Sequence, residues 1–168
     1  MPSLAIATVV DNKDQEGLGR VKVSFGWLDQ SMVTDWISVA QPHAGADRGV
    51  FWMPEKDDEV LVGFLHGDIN KPVVIGAMWN PMAKAPAQDP RHRMIRSKNG
   101  HTIHFVDSEP ASGDMGALIV RDAHGSSLAF SNGYVTLKSI GVLVIEAAAI
   151  QLRGPGWQRT IIPNNNPI

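Results

Sequence analysis

Sixteen glycines and eleven prolines cut this 168-residue chain into segments too short for most helices. Between those breaks the apolar residues recur with period two. In "GRVKVSF" (19–25), Val21, Val23 and Phe25 share one side of an extended chain, opposite Arg20, Lys22 and Ser24. "DEVLVGFLH" (58–66) repeats the pattern with Val60, Val62 and Phe64, and Leu61 interrupts it. Together with "LAIATVV" (4–10), "DWISVA" (35–40) and "PVVIGAMW" (72–79), these make five short strands. Five strands with no intervening helix predict a small, twisted antiparallel barrel of the OB type over residues 1–80. The connection "HGDINKP" (66–72) is a tight hairpin turn. Gly67 supplies positive φ, Asp68 and Asn70 bond the turn backbone, and Pro72 opens the last strand without needing an N–H.

After Trp79 the character changes. Residues 81–99 hold several prolines and no periodicity, and read as a linker. From 100 to 153 short strands follow in quick succession: 101–107, 116–122, 126–130, 134–140, 142–147 and 149–153. An apolar-x-apolar unit recurs at Ile103/Phe105, Leu128/Phe130, Val135/Leu137 and Ile150/Leu152. A ladder this thin makes no core of its own; it leaves one apolar face and its edges open, so it must pair with other chains. That argument favours an intertwined oligomer without fixing its number. At Gly154-Pro155-Gly156 the ladder is expected to stop, leaving 154–168 as a terminal segment.

Composition narrows the function. Hydrophobic residues are 43% and charged residues 19%, which suits a folded chain. No run of 18 apolar residues exists and the N-terminus lacks a basic leader, so neither a membrane span nor a signal peptide is expected, and synthesis is expected in the cytoplasm. With no cysteine there are no disulfides and no thiolate ligands. Residues 1–80 carry six bases against eleven acids, −5, and residues 81–168 carry nine against six, +3.

No catalytic constellation emerges. Glu55, Asp57, Asp58 and Glu59 crowd a hairpin entry beside Lys56, where a solvated turn explains them. No serine sits in a GxSxG elbow, and "GLGR" lacks the strand-to-helix context of a phosphate loop. His66, His92, His101, His104 and His124 are scattered; His101 and His104, three apart on a strand, face opposite sides and do not share an ion. The expectation is no enzyme, no cofactor and no metal. An OB-type barrel also serves as a nucleic-acid or carbohydrate module. That alternative needs exposed aromatics in a basic groove, whereas Trp27, Trp36, Trp52 and Trp79 lie in an acidic half.

The stretches "GLGRVKVSFGWLDQ", "DWISVAQPHAGADRGVFWMPEKDDEVLVGFLHGDINKPVVIGAMWNP" and "IRSKNGHTIHFVDS" resemble the central spike of contractile injection machines: the VgrG spike of type VI secretion and the phage baseplate assembly protein V. The resemblance covers residues 4–153. It implies an OB-fold followed by a stacked, intertwined trimeric β-helix, the needle at the tip of an inner tube. The tube-docking first domains of full VgrG proteins have no counterpart in the chain, so it resembles the compact spike of a phage tail or phage-tail-like particle. The implied partners are two further copies in a homotrimer, inner-tube or hub proteins at the barrel end, and transiently the target cell envelope, with no nucleic acid. Ile103, Phe105, Leu128, Phe130, Val135, Leu137, Ile150 and Leu152 are expected to point to the three-fold axis. Trp157, Ile161 and Ile162 are expected to receive a conical PAAR-type tip protein.

Overall fold

A computed structural model describes residues 4–27, 32–109 and 113–162. The described residues are almost wholly strand and turn, in two compact units, residues 1–85 and 86–168.

The first unit is a closed five-stranded barrel. Its strands are β1 (Leu4–Asp11), β2 (Arg20–Ser24), β3 (Ile37–Val39), β6 (Glu59–Phe64) and β7 (Pro72–Met78), in the order β1-β2-β3-β7-β6, with β6 returning to pair β1. Four of the five ladders are antiparallel; β3 and β7 run parallel, the one rung that differs from the expected all-antiparallel pairing. The inward residues are those the alternation selects: Val21, Val23, Val60 and Val62 are fully buried, and Ala7, Val9, Phe25, Ile37, Phe64 and Val74 complete the core. Leu61, the interrupting residue, points the other way. Two two-residue strands, β4 (Ala44–Gly45) and β5 (Arg48–Gly49), form a hairpin that the sequence pattern does not reveal.

The barrel's connections are tied by carboxylates. Asp14 takes Nε and Nη2 of Arg20 at 2.9 and 2.8 Å and also accepts from the backbone N–H groups of Glu16 and Leu18. Between β6 and β7 a single 3-10 turn spans Leu65–Gly67, with His66 and Gly67 at φ 55° and 73°. Asp68 Oδ1 accepts from the Asn70 N–H, and Pro72 begins β7.

The second unit is a five-stranded antiparallel sheet in the order β12-β11-β10-β9-β8, followed by a separate two-stranded hairpin. Its strands are β8 (His92–Arg96), β9 (Thr102–Val106), β10 (Ala117–Arg121), β11 (Ser127–Ser131) and β12 (Tyr134–Lys138). Three sequence expectations change here. Residues 92–96, read as linker, form the edge strand β8; their mixed charge hides the alternation and suits an exposed edge. Residues 142–147, read as a strand, have no ladder partner among the described residues. The chain does not leave the strand pattern at Pro155: β13 (Ile150–Gly154) and β14 (Trp157–Ile161) pair across it. Pro155 and Gly156, the latter at φ 75°, are the two central residues of the turn, where a missing N–H and positive φ are assets. Residues 163–168 of the expected terminal segment lie outside the described residues.

Candidate functional site: an uncovered apolar face

Directly opposed residues of an antiparallel ladder point to the same side of the sheet. The registers of the second unit therefore define two rows running across all five strands. One is Ile95–Ile103–Val120–Leu128–Leu137, and the other is Arg93–Phe105–Leu118–Phe130–Val135. Nine of these ten side chains are apolar; the tenth, Arg93, forms an ion pair with Asp107. The opposite face is mixed and polar at its rims, with the row Arg96–Thr102–Arg121–Ser127–Lys138.

Among the described residues, nothing covers the apolar rows. Val135 is 66% and Leu137 57% exposed, and Ile103, Phe105 and Phe130 are each more than two-fifths exposed. Every buried residue of the described chain belongs to the barrel. Six of the eight residues expected to face a shared axis (Ile103, Phe105, Leu128, Phe130, Val135 and Leu137) lie on this one face. Ile95, Leu118 and Val120 join them; the sequence units missed these because β8 read as linker and "ALIVR" in β10 does not alternate. Ile150 and Leu152 lie on the separate hairpin, on the same side as Trp157 and Ile161, since Ile150 opposes Ile161 and Gly154 opposes Trp157. Ile162 follows the strand and is exposed. Two of the expected axial residues and two of the expected tip-docking residues therefore share a face of one hairpin. Along 142–145, Val142, Leu143, Val144 and Ile145 are all half or more exposed, in a segment with no ladder partner among the described residues.

The chemical candidates resolve into structural roles. Asp58 Oδ2 accepts from the Glu55 N–H at 2.8 Å, its carbonyl accepts from Val9, and the Asp57 N–H donates to Val9, so the acidic cluster builds a turn. The tryptophans stay out of the barrel core: Trp27, Trp52 and Trp79 are more than half exposed, Trp27 packs on Phe25, and Lys22 Nζ lies 5.1 Å over Trp36. His101 Nδ1 accepts from the Ala123 N–H, while His104 meets His92, not His101. Burial, with the charges of His92 and Arg121 beside it, holds the His104 imidazolium below the usual histidine range.

A closed OB-type barrel followed by an antiparallel sheet with one exposed apolar face defines an all-β protein. Residues 5–79 match the family described as "Type VI secretion system/phage-baseplate injector OB domain". Among curated proteins the chain is 35% identical, over 78% of its length, to the type VI secretion system spike protein VgrG2a of Pseudomonas aeruginosa, and it covers 17% of that relative. It is also 36% identical over 52% of its length to the spike protein VgrG3 of Vibrio cholerae, covering 9% of that protein. An actin cross-linking toxin, VgrG1 of Vibrio cholerae, matches at 33% over 52% of the chain and 9% of the relative. The barrel belongs to the injector OB-domain family, and the chain is VgrG-like; it spans less than a fifth of the length of these relatives. No helix among the described residues is long and apolar enough to cross a membrane.

Proposed function

We propose that this chain is the central spike of a contractile injection machine, a homotrimer whose second unit forms an intertwined β-helix needle. The observation that carries the reading is the pair of apolar rows across β8–β12 with nothing among the described residues to cover them. Burying what the seven exposed side chains of these rows leave open is worth on the order of 10 kcal/mol per chain by apolar area. That equals the whole stability of an ordinary domain, so a partner surface is energetically required. A second copy supplies a matching face by symmetry, and three copies about an axis bring all the rows inward while the open edges of β8 and β12 find partners. The segment 142–147, with no ladder partner among the described residues, fits a strand completed by a neighbouring copy.

On this reading the role is mechanical and no covalent chemistry is needed. Sheath contraction drives tube and spike into a target envelope, and interchain strands resist bending. Hub or inner-tube proteins meet the barrel; a PAAR-type tip meets the C-terminal hairpin through Trp157, Ile161 and Ile162. The protein then works within an assembled phage tail or phage-tail-like particle.

Sedimentation velocity tests this directly. A trimer at micromolar concentration is expected from the full chain, and a chain ending at Asn80 is expected to be monomeric or weakly associated. A full-length monomer overturns the reading.

A further inference from the structure

On the mixed face of the sheet, away from the apolar rows, two imidazoles from neighbouring strands converge. His92 opens β8 and His104 lies in β9, one rung apart on a diagonal, with ring centroids 5.0 Å apart. Nδ1 of His92 stands 2.9 Å from Nε2 of His104. Two nitrogens bound to one ion at about 2.0–2.1 Å stand about 3 Å apart, so the pair already has the separation of a chelate. Met94 directly opposes His104 on the same face and places a thioether carrier beside the pair.

We propose that His92 and His104 form a bis-imidazole site for a late first-row divalent cation, copper(II) above zinc(II), that clamps the edge strand β8 to β9. When empty, the two rings share one N–H, donated by one to the lone pair of the other; an arriving ion takes both lone pairs and releases that proton. Arg121, on the same face, repels a cation and sets a limit on affinity. Asp89 lies within electrostatic reach of His92 and partly offsets this, although Arg91 holds its carboxylate. The described residues hold no group of three or more His, Cys, Asp and Glu able to share an ion, so water fills the remaining positions and the site is a two-donor clamp. The pair lies within one chain and does not depend on the trimer.

The experiment titrates the intact protein with copper(II) alone and reads electron paramagnetic resonance, with calorimetry for stoichiometry. One ion per chain, carrying couplings to two imidazole nitrogens, is expected. His92→Gln and His104→Gln should each weaken binding by at least the roughly 10–100-fold that losing even an outer-shell partner costs. His101→Gln, which alters a histidine outside the pair, should leave it unchanged. Thermal melts of the metal-free variants verify that the exposed substitutions leave the fold intact. Binding that survives either pair variant, or a spectrum with a single coupled nitrogen, overturns the site.

Discussion

Val62 and Val135 are the same residue type, each in a strand with alternating apolar neighbours, yet one is fully buried and the other 66% exposed. The difference is closure. In the barrel, β6 returns to pair β1, so every inward side chain meets another from across the barrel. In the second unit β8 and β12 remain edges, and the two apolar rows face outward. Alternation specifies which residues share a face; it does not specify what covers that face. The barrel buries its apolar face within itself, whereas the sheet, among the described residues, leaves its apolar face exposed.

The largest expected effect probes the open half. Leu137→Asp places a carboxylate at the β12 end of an apolar row, and in a trimer three such charges would be buried without partners, each costing several kcal/mol. The expected outcome is dissociation to monomers with the barrel still folded, read by sedimentation and by circular dichroism. A variant that assembles with unchanged thermal stability breaks the comparison, because Leu137 would then not face a partner.

Val62→Ala probes the closed half. Removing two buried methyl groups where the residue is fully enclosed should cost about 2 kcal/mol. This loss should be independent of protein concentration, whereas any destabilisation at Leu137 or Val135 should vary with it. Denaturant titrations at two concentrations distinguish the two regimes.

These two positions also mark how far the sequence could be read. Val21, Val23, Val60 and Val62 were legible because a closed barrel buries one face of each strand completely and leaves a clean alternation. The shared face of Ile103, Phe105, Leu128 and Leu137 was equally legible, since it depends only on period and register. Strand β8 was not: "HRMIR" carries bases at 93 and 96, on opposite faces, so its pattern resembles a polar linker. Missing β8 concealed the His92–His104 pair, because twelve residues of separation become one rung only when the strands are paired. Pro155 misled for a different reason. A proline ends a strand, but followed by glycine it also makes the tightest route into the next one. Residues 142–147 misled because apolar alternation alone does not supply a ladder partner, and none lies among the described residues.

A smaller effect separates the units by pH. The side chain of Asp14 is 5% exposed, and the hydrogen bonds from Arg20, reinforced by the N–H groups of Glu16 and Leu18, hold its carboxyl well below the usual carboxylate range. A depressed folded pKa stabilises the fold fully above the ordinary value of about 4, and that contribution drains away as pH falls below it. Asp14→Asn removes the effect. The Tm difference between the native chain and the variant should therefore be greatest near neutrality and shrink steadily below about pH 4. A difference that stays constant to pH 3 would mean the Asp14–Arg20 pair contributes nothing to barrel stability.

The smallest effect asks to which kind of surface the β13–β14 hairpin belongs. A methyl group added at Gly154 would lie 2.2 Å from Nε1 of Trp157, so the indole packs over this glycine and must rotate away in Gly154→Ala. Displacing an exposed ring on a flexible side chain costs only about 1 kcal/mol, too little to unfold either unit. If Trp157 and Ile161 form a docking face for a tip protein, the displaced indole should weaken co-purification with a PAAR-type partner while sedimentation stays unchanged. If the hairpin instead covers its own oligomer, beside Ile150 and Leu152 on the same side, the same substitution should loosen the assembly and leave no trimer on which to test docking. A change in oligomeric state at Gly154→Ala would thus move the hairpin from the docking surface to the buried interface, and Trp157 with it.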